Sequence, residues 1–170
     1  MSRMVPQANI QEPAKMDLVQ ISGMTISDLI QPAIDKNIDL GMDAPEELIM
    51  YGNQTAISIL MRNLVDNAIR YSREGGQVNV VLKEKIIDGK SYIIINVIDS
   101  GPGIPKELRE RVFERFFRIV GNKAQGSGLG LGIVRQIVKL HQGTIQLKDP
   151  KDHKGLEVEI KMPCEPFAEE

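Results

Sequence analysis

Three polar residues, Asn63, Asn67 and Arg70, stand at i, i+4 and i+7 along a stretch that also carries Ile57, Leu60, Met61, Leu64, Val65 and Ala68 at helical spacing. On a helix of about 3.6 residues per turn the polar three project from one side, about 100° or more from the middle of the apolar stripe. A row of this kind could line the rim of a pocket. The carbonyl oxygen of asparagine is a hard, neutral ligand suited to Mg2+, which keeps waters and takes phosphate oxygens for the rest of its shell. Arg70 would then balance phosphate charge. Taken alone, the two asparagines read more readily as a solvated helix face.

Two glycine-bearing segments suggest the rest of such a site. Asp99-Ser-Gly-Pro-Gly-Ile104 follows a strongly apolar run that ends at Ile98. A carboxylate leaving a buried strand can accept a hydrogen bond from an exocyclic amine, and the glycines let backbone approach a flat ligand; a bare tight turn has the same pattern. Gly126-Ser-Gly-Leu-Gly-Leu-Gly132 precedes a strongly periodic stretch, so that free N–H groups at a helix start would attract phosphate. No strand immediately precedes these glycines and no βαβ unit surrounds them, which excludes a dinucleotide fold. Between the two glycine segments, Phe113, Phe116 and Phe117 make up three of the four phenylalanines in the chain, as a local hinge or a core anchor.

The elements that must position these residues are legible in part. A helix is expected from a Thr25-x-x-Asp28 start signal, with Leu29, Ile30, Ala33 and Ile34 in register and a kink at Pro32. Two short strands follow in IDLGMD and LIMYG, and then the helix that carries Asn67. QVNVVLKEKII and SYIIINVID form a hairpin about Asp88-Gly89-Lys90. A short helix is expected over Pro105–Val112. A last helix carries Leu131, Val134, Ile137, Val138 and His141, closed by Gly143, and GTIQLKD and GLEVEIKMP complete the sheet. The expected fold class is α/β, with helices on one face of a mixed or antiparallel sheet in a two-layer sandwich. Residues 1–16 read as a loose leader, 17–163 as one domain and 164–170 as a tail.

Composition narrows the function classes. At 170 residues, 42% hydrophobic and 26% charged, the chain has the balance of one globular domain. With net charge -2, pI near 5.8 and dispersed lysines and arginines, no footprint for nucleic acid is present. Cys164 is the single cysteine, so an internal disulfide framework is excluded. No apolar run reaches the ~18 residues of a spanning helix and no signal peptide opens the sequence, so a soluble, cytoplasmic chain is expected.

In order and spacing, NLVDNAIRY (63–71), DSGPGI (99–104), FERFFR (113–118) and GSGLGLG (126–132) resemble the N-box, first glycine box, F-box and second glycine box of the sensor histidine kinases of two-component systems, members of the GHKL superfamily. The resemblance covers roughly residues 17–163. It implies a mixed, mostly antiparallel five-stranded sheet under three helices, with a flexible lid over ATP. It further implies that Asn67 is the Mg2+ ligand, with Asn63 as its polar support and Arg70 near phosphate. Tyr71 would stack on adenine and Asp99 would read the adenine amino group, with Gly101, Gly103 and Ile104 shaping the pocket and Phe113 beside it. Arg118 and Lys123 would reach the terminal phosphates from the lid, and Gly126, Ser127, Gly128, Leu129, Gly130 and Leu131 would cradle them.

The implied cofactors are ATP and Mg2+. The implied reaction is transfer of the γ-phosphate to a histidine on a separate dimerisation hairpin, which then serves a response regulator. His141 and His153 are the only histidines, and packing or solvation accounts for both, so the acceptor is expected elsewhere, in a full-length membrane-bound homodimer of the bacterial inner membrane; this chain by itself is expected to be monomeric. Hydrolases of the same superfamily carry a glutamate four residues before the magnesium asparagine. Here that position is Asn63, and an amide cannot take a proton at neutral pH, which favours transfer over hydrolysis. A serine kinase of the same superfamily and a nucleotide-binding module without catalysis are the remaining alternatives.

Overall fold

The computed structural model describes residues 13–114 and 130–165. In chain order the elements are β1 (Ala14–Asp17), α1 (Leu18–Asp35), β2 (Asp39–Asp43), β3 (Ile49–Gly52), α2 (Gln54–Tyr71), β4 (Gln77–Ile87), β5 (Lys90–Asp99), α3 (Gly130–Leu140), β6 (Thr144–Lys148) and β7 (Leu156–Pro163). The main sheet has the order β2-β4-β5-β7-β6, parallel between β2 and β4 and antiparallel elsewhere. β1 and β3 form a separate antiparallel pair. The expected mixed sandwich is therefore present, with a small second sheet that sequence reading did not anticipate.

Alternation fixes which face of the sheet meets the helices. Val78, Val80 and Leu82 of β4, Ile93, Ile95 and Val97 of β5, and Val158, Ile160 and Met162 of β7 are all buried. Their period of two turns them to one side. The stripe of α2 meets them with Ile57, Leu60, Met61, Leu64, Val65 and Ala68, as its spacing predicts. At roughly 1.5–3 kcal/mol for each large apolar side chain fully buried, this layer is the main source of stability. The β4–β5 hairpin closes as expected through Asp88 (φ 52°) and Gly89 (φ 79°), both left-handed, which matches a type I′ turn.

Several boundaries differ from expectation. α1 starts at Leu18, seven residues before Thr25, because Asp17 caps it: its Oδ1 accepts from Val19 N and also from Leu48 N, each at 3.0 Å. The Thr25 hydroxyl instead donates to Ile21 O inside the helix, at 3.0 Å, and the helix runs through Pro32 to Asp35. Ala14–Asp17, partly within the stretch read as a leader, pair with β3. At the other end Cys164 is buried and belongs to the fold, donating its N–H to Ser91 O (3.0 Å) and accepting from Tyr51 N (2.8 Å), so that it bridges the two sheets. The expected helix over Pro105–Val112 is two 3-10 turns, Lys106–Leu108 and Arg111–Phe113. There Arg109 donates to Ile104 O (2.9 Å) and pairs with Asp149 (2.5 Å), holding the chain down in place of an apolar stripe. The left-handed residue that ends α3 is Gln142 (φ 62°), not Gly143; Gly143 N donates to Val138 O and Gln142 N to Lys139 O, a Schellman pattern. Gly143 is required for a different reason, since a Cβ there would strike Lys161 O.

Candidate nucleotide site

Asp99 is the last residue of the central strand β5 and is only 5% exposed. Its Oδ1 accepts from Gly101 N (2.9 Å) and Leu156 N (3.2 Å), so two backbone donors fix its orientation. Among the described residues Oδ2 takes no hydrogen bond. Burial pushes the carboxyl above the usual carboxylate range, against the opposing pull of those two N–H groups and of His153. A buried, oriented carboxylate with a free oxygen is an acceptor suited to an amine.

The turn after Asp99 is built by close backbone contact. A Cβ at Gly101 would strike Tyr71 O, so the end of α2 and this turn touch directly. A Cβ at Gly103 (φ 78°) would lie 2.7 Å from Gly155 O, and one at Gly155 (φ 151°) would overlap Asp99 O. Gly155 thus packs a third segment behind the carboxylate. Gly155→Ala is expected to cost about 3 kcal/mol or more, because both the dihedral and the space are unavailable to a side chain; urea unfolding reads the loss, and a cost under about 1 kcal/mol counts against this packing.

Asn67 faces the start of α3. A Cβ at Gly130 would lie 2.9 Å from Asn67 Nδ2 and 3.2 Å from Oδ1, so the amide rests against the helix start. Neither Asn63 nor Asn67 makes a side-chain hydrogen bond among the described residues, and both are half-buried. A half-buried amide with free valences beside a helix N-terminus fits a Mg2+–phosphate group, and Asn67 is the residue that would hold the metal. Arg70, one turn on, has its guanidinium at 2.9 Å from Asp66, which partly neutralises the charge expected to meet phosphate.

Tyr71 ends α2, half-buried. Ile104 and Leu131 pack against the core. Phe113 lies 4.3 Å beneath the Arg135 guanidinium of α3, and its carbonyl is 2.6 Å from where a Cβ of Gly132 would be, so it anchors the 3-10 turn to α3. Arg118, Lys123, Gly126, Ser127, Gly128 and Leu129, with the expected lid, lie outside the described residues. The structure therefore brings Asn67 to Gly130, and Tyr71 to Gly101 and Asp99. His141 is structural, as expected: its Nε2 accepts from Asn53 N (3.1 Å) and Nδ1 lies 2.8 Å from Ile137 O. Sequence reading missed Gly155, packed behind Asp99, Ser100, whose hydroxyl accepts from Gln77 N, and Lys36, whose Nζ donates to Ile69 O and Arg70 O at the end of α2. Gly155, just before β7, carried a signal as an isolated glycine; Lys36 carried none.

Residues 52–166 match the family described as histidine kinase-, DNA gyrase B- and HSP90-like ATPase. The chain belongs to this family. It is 34% identical over 164 residues to sensor protein kinase PmrB of Pseudomonas aeruginosa, covering 96% of this chain and 33% of that protein. It is 38% identical over 146 residues to sensor protein QseC of Salmonella typhi, covering 85% and 31%. The chain thus spans about a third of the length of the curated relatives it matches. Among solved structures it is similar to the catalytic domain of histidine kinase ThkA, with a TM-score of 0.80 and 28% identity over 92% of this chain and 98% of that one. The same kinase in complex with response regulator TrrA matches with a TM-score of 0.76 and 26% identity, over 91% of this chain and 42% of that one.

Proposed function

We propose that this chain binds Mg-ATP and donates the γ-phosphate to a histidine on a separate helical hairpin, as the catalytic part of a two-component sensor kinase. The observation that carries the reading is the meeting of three elements. The Asn67 amide rests on the first residue of α3, while the opposite end of the same helical turn touches the Asp99 turn. Purine would lie at Asp99, where Oδ2 accepts from the exocyclic amine and the Gly101–Ile104 backbone walls the ring. The triphosphate would extend toward Asn67 and Gly130. Asn67 would hold Mg2+, which would supply charge neutralisation at the triphosphate. The residues of this chain orient the nucleotide for in-line attack and exclude alternatives; Asn63, an amide, cannot serve as a base for water.

The relatives support the wider setting. PmrB and QseC are sensor proteins, and ThkA has been solved with a response regulator. A response regulator is accordingly the proposed downstream partner, and a membrane-bound homodimer the proposed parent. A Mg-ATP titration with adenosine and GTP as controls tests the site, followed by incubation with a matching histidine hairpin and [γ-32P]ATP. Preferential binding of ATP and an acid-labile, hairpin-borne label are expected. ATP binding with no label on any hairpin would reduce the chain to a nucleotide-binding module.

A further inference from the structure

We propose that Lys36, on the connection after α1, is a positioning residue for the purine side of the nucleotide site, an inference that rests on the ATP-binding reading. Its Nζ donates to Ile69 O at 3.0 Å and to Arg70 O at 2.7 Å. These are among the last carbonyls of α2, which lack partners within the helix and lie at the negative end of its dipole. An ammonium offers three donors and a positive charge, which suits both needs. The Lys36 carbonyl in turn accepts from Gly75 N at 3.1 Å, so the residue is tied to the segment after α2 as well as to the helix itself.

From these carbonyls the contacts lead directly to the carboxylate. Tyr71, the next residue after Arg70, presses its carbonyl on Gly101, and Gly101 N donates to Asp99 Oδ1. A second strand of contacts runs parallel to the first. Asp39 N donates to Gly76 O (2.9 Å), and Gln77 N donates to Ser100 Oγ (2.9 Å), in the residue between Asp99 and Gly101. Lys36 therefore holds the last turn of α2 in register with the turn that presents Asp99. Asn67 lies two and three residues before the bonded carbonyls and rests on Gly130 of α3, so the metal end of the site has a support that does not pass through this lysine. Burial, and then the charge of Arg70, pull the Lys36 ammonium below its ordinary value.

Lys36→Met keeps the aliphatic stem and removes the donors. Calorimetric titration well below the melting temperature should show Kd for ATP and for ADP raised about tenfold, with Kd for Mg-pyrophosphate within about twofold of the parent. Lys36→Arg, which retains a forked donor, should return ATP affinity to within about threefold. A lowered melting temperature with unchanged ATP affinity in Lys36→Met would make the lysine a stabilising cap only and overturn the proposal. Equal losses for pyrophosphate and ATP would overturn it too, as would failure of Lys36→Arg to restore binding. Should Lys36→Met not fold, Lys36→Gln is read by the same three ligands. An unaltered chain that binds no ATP at all sinks the nucleotide reading itself, and is seen before any variant is made.

Discussion

Asn67→Ala is expected to abolish magnesium-dependent nucleotide binding while leaving the fold intact. The side chain is half-buried, rests on Gly130 and makes no hydrogen bond among the described residues, so its truncation breaks no internal bond. The loss of stability should stay within about 1 kcal/mol, the range of a substitution that opens no core cavity. Binding is affected differently. An asparagine oxygen is one of very few protein ligands in a Mg2+ shell otherwise made of water and phosphate, so no neighbour replaces it. ATP affinity measured with Mg2+ should fall at least about 100-fold, toward the value obtained with EDTA, and the response to added Mg2+ should disappear. A variant that keeps its magnesium response would remove Asn67 from the metal site.

Asp99→Asn should separate stability from recognition. The amide oxygen can still accept from Gly101 N and Leu156 N, and the substitution removes a charge from a position only 5% exposed, so stability should be unchanged or higher. ATP affinity should nevertheless fall about 10- to 100-fold, because a hydrogen bond to a charged acceptor contributes roughly 1.5–3 kcal/mol. The raised ionisation range of Asp99 gives a further check with a definite sign. Between the ordinary value of 3.8 and the raised folded value, the native state binds more protons than the unfolded chain. Stability contributed at this site is therefore greatest at low pH and declines as pH rises through that window. Purine binding runs the other way, since it needs the ionised carboxylate: affinity should weaken on acidification earlier than for an ordinary aspartate. Asp99→Asn should flatten both profiles in this window, and a parent-like acid response in the variant would assign it to another group.

The parts of the site legible in the sequence are those fixed by local chemistry. The α2 stripe and the polar row beside it follow from helical spacing, and the strand ending at Asp99 from an unbroken apolar run. What stayed hidden depends on distant partners. The start of α1 was obscured because its buried side includes Ser22 and Thr25, which do not look like core residues, and because its cap, Asp17, is also committed to Leu48 N on another segment. Lys36 and Ser100 resemble ordinary surface residues until the fold sets them against backbone groups 33 and 23 positions away. The pairing of β1 with β3 was equally illegible, as short strands in a second sheet have too few residues to display a period.

α2 is fastened at both extremities: His141 accepts from Asn53 N at its entry, and Lys36 holds the Ile69 and Arg70 carbonyls at its exit. A rod gripped at either end cannot swing aside for a guest of the wrong shape. With the nucleotide held as proposed, discrimination among bases would reside in the glycine-walled turn opposite, and swapping one purine for another by engineering would begin there, not on the helix.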